Sequence, residues 1–177
     1  MPNRQRLSPE DWLNAGIEAL ARLGPEGLKA EPLARVLETT KGSFYWHFDD
    51  VPAFQKRVQE HWAQLNDAAV EMPKKKKDAV GELKKLMEEG FGEEGMAEAA
   101  MRTWARTDPQ AEAAVAKIDA ERMERIRVLL EKMGVTNPDI PRALYAARIG
   151  AAQISKGKDK TNKQAIATLV DLVLALR

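Results

Sequence analysis

The sequence of 177 residues predicts an all-α fold. Apolar residues recur every three or four positions over most of the chain, which is the spacing of one buried helix face. Several of these segments begin and end with residues that helices prefer at their ends, such as Ser8-Pro9 at a start and Gly24-Pro25 at a stop. The final segment, residues 165–176, is apolar at ten of its twelve positions. Together these observations favour helices packed on helices.

The first predicted helix begins with Ser8 as its N-cap and Pro9 at its first helical position, and it ends at Gly24. Its apolar face is formed by Leu13, Ile17, Leu20 and Ala21. A second, shorter helix is expected over about residues 31–37. Residues 1–7 are interpreted as a frayed arm, with a minor-groove contact by its two arginines as the alternative.

Residues 38–48, ETTKGSFYWHF, predict a tight turn followed by a short helix. Phe44 and Phe48 lie four residues apart and therefore share a face that can anchor this helix to a core. A helix cannot bury three consecutive residues on one face, so part of the run 45–47 must face solvent or a partner. This is the layout of a helix-turn-helix with a recognition helix. A small surface helix with a mixed aromatic cluster is the alternative interpretation.

Residues 40–48 also resemble the signature of the TetR family of bacterial transcriptional regulators, in which Thr or Ser and Lys-Gly precede an aromatic run ending in His-Phe. The resemblance extends over about residues 8–62. The sequence departs from the family pattern at Glu38, where Gly is usual, at Lys29, where a Thr or Ser cap is usual, and at Val51, where Lys is common. The residues expected to contact DNA are Lys29, Thr40, Lys41, Gly42, Ser43, Tyr45, Trp46 and His47.

The resemblance implies an N-terminal three-helix DNA-binding domain with the helix-turn-helix, residues 1–50, and a C-terminal helical ligand-binding and dimerisation domain, residues 51–177. It also implies a homodimer that binds a palindromic operator in double-stranded DNA and is released by a small apolar or amphipathic effector. The expected role is that of a repressor in the cytoplasm. The alternative is a helical ligand-binding or scaffold protein on the same fold that has no operator of its own.

The helices after residue 50 are predicted from the same kinds of signal. Asp50 is placed to cap a long helix that reaches about Glu71. Residues 72–77, which contain a proline and four lysines, interrupt this pattern and are interpreted as a solvated linker. A helix over residues 78–89 follows, and then a flexible corner with three glycines over residues 90–95.

Four more helices are expected, over residues 96–106, from Asp108-Pro109 to Gly134, from Asn137-Pro138 to about Ser155, and from Thr161 or Asn162 towards the C-terminus. The longest of them carries an apolar stripe that Arg122 interrupts. A charge on such a face needs a partner. The partner of Arg122 is expected to be an acidic residue at the edge of the core, with an anionic ligand as the alternative.

The last helix is apolar nearly all round, so it must be covered on two sides. One side is expected to face the chain's own core and the other a second subunit. The resemblance implies the same, because TetR-like proteins dimerise through a four-helix bundle of their last two helices. The predicted dimer interface comprises Ala147, Ala151, Ile154, Ile166, Leu169, Val170 and Val173.

The resemblance further implies an effector cavity in the C-terminal domain. Methionine and aromatic side chains provide an adaptable apolar wall, and Tyr145 and Gln153 offer polar groups. Plain core packing is the alternative for each of these residues. Those expected to line the cavity are Trp62, Phe91, Met101, Trp104, Met123, Tyr145 and Gln153.

Several classes of protein are disfavoured by what the sequence lacks. It has no cysteine, and its two histidines lie 14 residues apart without acidic residues at metal-ligand spacing. It also has no glycine-rich phosphate loop and no catalytic constellation, so no metal, no cofactor and no enzymatic activity are expected. Neither a secretory signal nor a segment able to span a bilayer is recognisable, so no membrane partner is expected.

The charge balance gives the DNA-binding hypothesis little support. The chain has 28 basic and 27 acidic residues, a net charge of +1, and residues 1–48 contain six of each sign. A nucleic-acid-binding surface is usually basic, so any such patch must arise through folding. From residue 74 onward the sequence is dense in Lys and Glu, which is compatible with an engineered or surface-altered second domain or with compositional drift.

Overall fold

The computed structural model describes residues 7–67, 76–92, 94–154 and 161–175. These residues form nine α-helices and no β-strand, which confirms the all-α prediction. In chain order the helices are α1 (Pro9–Leu23), α2 (Ala30–Val36), α3 (Lys41–Tyr45), α4 (Val51–Asn66), α5 (Lys76–Glu88), α6 (Glu94–Trp104), α7 (Pro109–Lys132), α8 (Ile140–Ile154) and α9 (Thr161–Ala175). Within these ranges, no helix combines the length and the apolar character needed to cross a membrane.

The chain divides into two compact units, each assembled from two stretches of sequence. The first unit comprises Met1–Asn66 and Ala97–Val115, and the second comprises Asp67–Met96 and Ala116–Arg177. The expected division, by contrast, lay at residue 50. The sequence signals around that residue mark only the start of α4, and the whole of α4 belongs to the first unit.

The first helix begins and ends as the sequence predicts. The Ser8 hydroxyl accepts a hydrogen bond from the Asp11 backbone N–H (3.2 Å), and the Asp11 carboxylate accepts one from the Ser8 backbone N–H (2.7 Å). This reciprocal capping box satisfies two donors at the helix start. The hydrogen bonds from Ser8 also hold the pKa of Asp11 below its ordinary value. At the other end Gly24, with φ of 71°, closes the helix by donating to the Leu20 carbonyl.

Within the first unit, α1 and α4 approach closely at Gly16. A Cβ atom at this position would lie 2.8 Å from Val58 Cγ2 and 2.9 Å from Phe54 Cζ, so only glycine fits without a shift of these neighbours. The same two helices are joined by a 2.8 Å hydrogen bond between Asn14 Oδ1 and His61 Nε2. His61 therefore has a structural role.

The predicted end of α4 is wrong. The helix stops at Asn66 rather than near Glu71, because the Asn66 side-chain amide donates to the Trp62 carbonyl (2.8 Å) and satisfies a carbonyl of the last turn.

Some predicted segments lie outside the described residues. They are the N-terminal arm up to residue 6, residues 72–75 of the predicted linker, and the connection over residues 156–160.

The start of α8 also differs from the prediction. Asn137 and Pro138 precede the helix instead of capping it, and α8 begins at Ile140. The Asn137 side chain accepts a hydrogen bond from the Asp139 backbone N–H (2.9 Å), which folds these residues into a turn ahead of the helix.

The core of the second unit is built from buried side chains of α5, α7, α8 and α9. In α9 the inward positions are Ile166, Val170 and Leu174, which follow one another at a spacing of four residues. Polar contacts also stabilise this unit: Tyr145 Oη donates to Asp119 (2.8 Å), Arg148 Nε donates to the Glu89 carbonyl (3.1 Å), and Arg125 pairs with Glu82 (3.0 Å). Arg122 is buried, as its place in the apolar stripe of α7 predicts.

Candidate nucleic-acid interface

A tight turn between α2 and α3 sets the direction of the recognition helix. Glu38 adopts φ of 50°, in the left-handed region that glycine normally occupies. The chain then reverses, and the Thr39 backbone N–H donates to the Ala34 carbonyl (2.9 Å). Thr40 follows as the N-cap of α3, with its hydroxyl accepting from the Ser43 backbone N–H (3.3 Å). The turn is thus retained although Glu38 stands where the family pattern has glycine.

Phe44 anchors the recognition helix to the first unit. Its ring is fully buried and contacts those of Trp12, Phe48 and Phe54, with centroid distances between 5.1 and 5.4 Å. Phe48 is buried beside it, as the spacing of four residues predicts. These contacts matter because α3 has only five residues, far fewer than an isolated helix needs to be stable in water.

The opposite face of α3 is turned towards solvent. Tyr45 is 48% exposed and Trp46, just beyond the helix, is 79% exposed. The Lys41 ammonium lies 6.0 Å from the centroid of the Tyr45 ring, at the outer limit of a cation–π contact. The prediction that the three consecutive residues 45–47 cannot all be buried is therefore correct.

Five of the eight predicted DNA-contacting residues line one open concavity of about 310 Å³: Thr40, Gly42, Ser43, Trp46 and His47. A Cβ atom at Gly42 would lie 3.7 Å from Thr40 Oγ1, which is ordinary van der Waals contact. The free protein therefore does not need glycine at this position for packing. Tyr45 and Lys41 belong to the same helix but do not line the concavity.

Lys29 is placed differently from the other predicted contact residues. It is the N-cap of α2 without a side-chain capping bond, and its ammonium pairs with Glu26 (2.9 Å). The hydrogen bond from Lys29 lowers the pKa of Glu26. Arg35 is likewise paired with Glu31 (3.4 Å). Both pairs are exposed, so either cation can be released at little cost.

The charge balance of this part of the chain is slightly acidic. Residues 1–67 contain eight Lys and Arg and ten Asp and Glu. Asp49 and Asp50 follow the recognition helix directly and are exposed, and Asp50 caps α4 by accepting from the Ala53 backbone N–H (2.7 Å). Residues 1–48 are balanced, and the excess arises after residue 48, where four acidic residues accompany Lys56 and Arg57.

The predicted effector residues are divided between the two units. Trp62, Met101 and Trp104 belong to the first unit, where all three are buried. The remaining residues, Phe91, Met123, Tyr145 and Gln153, belong to the second unit, where Gln153 is exposed. The Tyr145 hydroxyl, expected as a polar group of the cavity, donates to Asp119. Among the described residues no group of His, Asp and Glu is arranged to hold a metal ion.

The predicted dimer residues fall into two groups. Ile166 and Val170 are buried in the core of their own unit, because α9 packs this face against α5 and α8. They are therefore not available to a second subunit. The partly or fully exposed members are Ala147, Ala151, Ile154, Leu169 and Val173, of which Ile154 is 84% exposed.

Leu172 is an exposed apolar residue that the sequence prediction omits. It is 59% exposed, on the face of α9 opposite to Val170. A signal for this position is present in the sequence: Thr168 lies four residues earlier and so shares a helix face with Leu172. A polar residue in an otherwise apolar helix marks the side that is not in the core.

Comparison with known proteins identifies the fold. No family model matches the sequence, and no curated protein matches it significantly. A TetR-family transcriptional regulator from Rhodococcus sp. is similar in structure, with a TM-score of 0.71, 16% identity, and coverage of 94% of this chain and 98% of that one. The reduced form of E. coli NemR is similar with a TM-score of 0.68, 18% identity, and coverage of 93% and 96%. The chain therefore has the TetR-family fold.

Proposed function

With the TetR-family fold as the premise, we propose that this chain is a transcriptional regulator that binds double-stranded DNA through α3. It acts as a homodimer on a palindromic operator and represses transcription in the cytoplasm. A small apolar or amphipathic molecule releases it from DNA. The protein is a binding protein rather than an enzyme.

The observation that carries this proposal is the two-sided character of the recognition helix. Phe44 is fully buried while Tyr45 and Trp46 are turned out into solvent. Large aromatic residues that remain exposed are expected at binding surfaces. In the complex, Ser43, Tyr45 and His47 contact phosphates, Lys41 and Trp46 contact bases or sugars, and Gly42 allows the backbone to approach the DNA.

Dimerisation is supported by the apolar residues that remain exposed in α8 and α9. Ile154 and Leu172 are more than half exposed, and an apolar surface of this kind is costly to leave in water. A two-fold axis through such an interface presents two copies of α3 to DNA. Two copies related in this way read a palindrome.

The proposed effector binds in the second unit. Met123 is partly buried against the core of that unit and Phe91 is part of it, which offers apolar surface for a ligand. The Tyr145 and Asp119 pair supplies a hydrogen-bond donor and acceptor that an amphipathic molecule can use. We infer that binding there alters the dimer, and a fall in operator affinity on addition of ligand tests this.

Selection of bound sequences from a random duplex pool tests the function as a whole. The full-length protein is expected to enrich one palindrome, and Tyr45→Ala is expected to weaken binding to all sequences similarly. Leu65→Ala, which removes an exposed apolar side chain near the end of α4, is the control and should bind like the parent. A pool without enrichment would favour the alternative of a ligand-binding or scaffold protein without an operator.

A further inference from the structure

Few cations lie near α3, and the exposed Arg57 of α4 is held over the Phe48 ring, with its guanidinium carbon 5.6 Å from the ring centroid. Lys41 is the one Lys or Arg of α3, and in the described part of the chain its ammonium forms no ion pair. The cations of the preceding segment, Lys29 and Arg35, are each paired with an acidic residue. Asp49 and Asp50 follow α3 and add negative charge on its other side.

The groups beside Lys41 include hydroxyl and indole N–H donors and an aromatic surface. The concavity next to α3 is lined by two hydroxyl groups, the His47 imidazole, the Trp46 indole and the Gly42 backbone. Hydroxyl and indole N–H groups can donate to phosphate oxygens without neutralising the phosphate. Contacts of this kind do not release the counterions condensed on DNA, and counterion release is what makes protein–DNA affinity depend on salt.

We propose that this chain binds its operator mainly through neutral donors and the Trp46 indole, with Lys41 as the one ammonium that each protomer places on the recognition surface. This inference rests on the proposed function. Trp46 packs against deoxyribose and thymine methyl groups at the edge of the major groove. The acidic residues around α3 weaken attachment to unrelated DNA, so that discrimination between operator and other DNA is high while total affinity is moderate.

The proposal has a quantitative consequence for salt dependence. Two released counterions per dimer, one for each Lys41, correspond to a slope of log K against log[salt] of about −2. If both Lys29 side chains leave Glu26, or both Arg57 side chains leave the Phe48 ring, and reach phosphates, the slope becomes about −4. A conventional basic interface with ten phosphate contacts has a slope of about −9.

The experiment measures the affinity of the full-length protein for the selected palindrome between roughly 50 and 200 mM salt, the range over which counterion effects are large. Arg4 and Arg6, for which a minor-groove contact is the alternative interpretation, lie outside the described residues. Because such a contact would steepen the slope, the parent is compared with the variant Arg4→Gln/Arg6→Gln. A slope of about −4 or shallower in that variant is the expected result. A steeper slope would overturn the proposal.

Two substitutions separate the contributions of Trp46 and Lys41. Trp46→Ala is expected to lower affinity by roughly tenfold or more, by the same factor at every salt concentration. Lys41→Gln is expected to make the slope shallower by about two. Lys117→Gln, which removes an exposed cation of the second unit that is paired with Glu121, is the control and should leave the slope unchanged. A Trp46→Ala variant with parental affinity would contradict the proposal.

These measurements distinguish the inference from the function on which it rests. If no duplex is enriched in the selection, the proposed function fails. If a palindrome is enriched but its binding is steeply salt-dependent, the function stands and the neutral interface is wrong.

Discussion

Trp12 of α1 and Phe44 of α3 meet edge to face, with ring centroids 5.4 Å apart and ring planes at 82°. Both rings are fully buried. Through this contact the first helix holds the recognition helix, which is too short to hold its own conformation. The orientation of Tyr45 and Trp46 towards solvent therefore depends on how Phe44 is packed.

Replacing Phe44 with Ala is expected to destabilise the first unit by about 3–5 kcal/mol, because a large buried side chain is lost and a cavity is left among the aromatic rings. Thermal unfolding followed by circular dichroism measures this change. Phe44→Leu keeps most of the volume and should cost clearly less. Equal losses for both substitutions would contradict the cavity as the cause and assign the loss to the ring–ring contacts, which both substitutions remove.

Gly42→Ala separates folding from DNA binding. The added methyl group meets no atom closer than 3.7 Å in the free protein, and alanine stabilises a helix by up to about 1 kcal/mol relative to glycine. The melting temperature should stay the same or rise. Operator affinity should fall, because the methyl group holds the backbone away from the DNA. A variant that binds as tightly as the parent would show that Gly42 does not approach the duplex.

Glu38 occupies a backbone conformation that costs an L-residue about 1 kcal/mol or more. Glu38→Gly is therefore expected to be more stable than Glu38→Ala by about 1 kcal/mol. Both variants remove the same carboxylate, so their difference in denaturant midpoint reports the backbone alone. Equal midpoints would mean that the turn is not strained at this position.

The capping box of α1 makes stability depend on pH. Because the folded state lowers the pKa of Asp11, its carboxylate contributes stability above its ordinary pKa, and this contribution is lost as the pH falls through the lowered value. The melting temperature of the parent should exceed that of Asp11→Asn above about pH 5, and the gap should narrow below about pH 4. Glu10→Gln, in the same turn but outside the capping box, is the control. If the difference in melting temperature between the parent and Asp11→Asn does not change with pH, the Asp11 carboxylate is not the source of the pH dependence.

The proposed dimer is tested by comparing two positions of α9 that face opposite ways. Leu172→Glu should give folded monomers in analytical ultracentrifugation, because it places a charge on the exposed apolar face without entering the core. Val170→Glu should instead unfold the second unit, because that side chain is fully buried. If Leu172→Glu remains dimeric, the interface does not include this face.

The sequence predicts those parts of the fold that depend on local signals. Ser8, Pro9 and Gly24 define α1, since capping and helix-stop residues act within one turn of the chain. Phe44 and Phe48 are correctly placed in the core and Trp46 in solvent, because a spacing of four residues fixes which side chains share a face.

The remaining features depend on tertiary contacts that the sequence does not encode locally. In the run 165–176 only Thr168 and Asp171 indicate the outward side, and packing against α5 and α8 selects the orientation that turns Ile166 and Val170 inward. The division into units cannot be seen either, since two of its three boundaries fall inside helices, after Met96 in α6 and after Val115 in α7. The predicted effector residues are drawn from both units because apolar periodicity identifies buried side chains without specifying what they are buried against.

The four tryptophans of the chain all belong to the first unit, and three of them are almost completely buried whereas Trp46 is open to water. The intrinsic fluorescence of the protein therefore has one quencher-accessible source, located on the proposed DNA-binding surface. Iodide should reduce emission from this indole and leave the other three nearly unaffected. Occupancy of the surface is thus readable in the unlabelled protein as protection from iodide, and the second unit contributes no indole signal of its own.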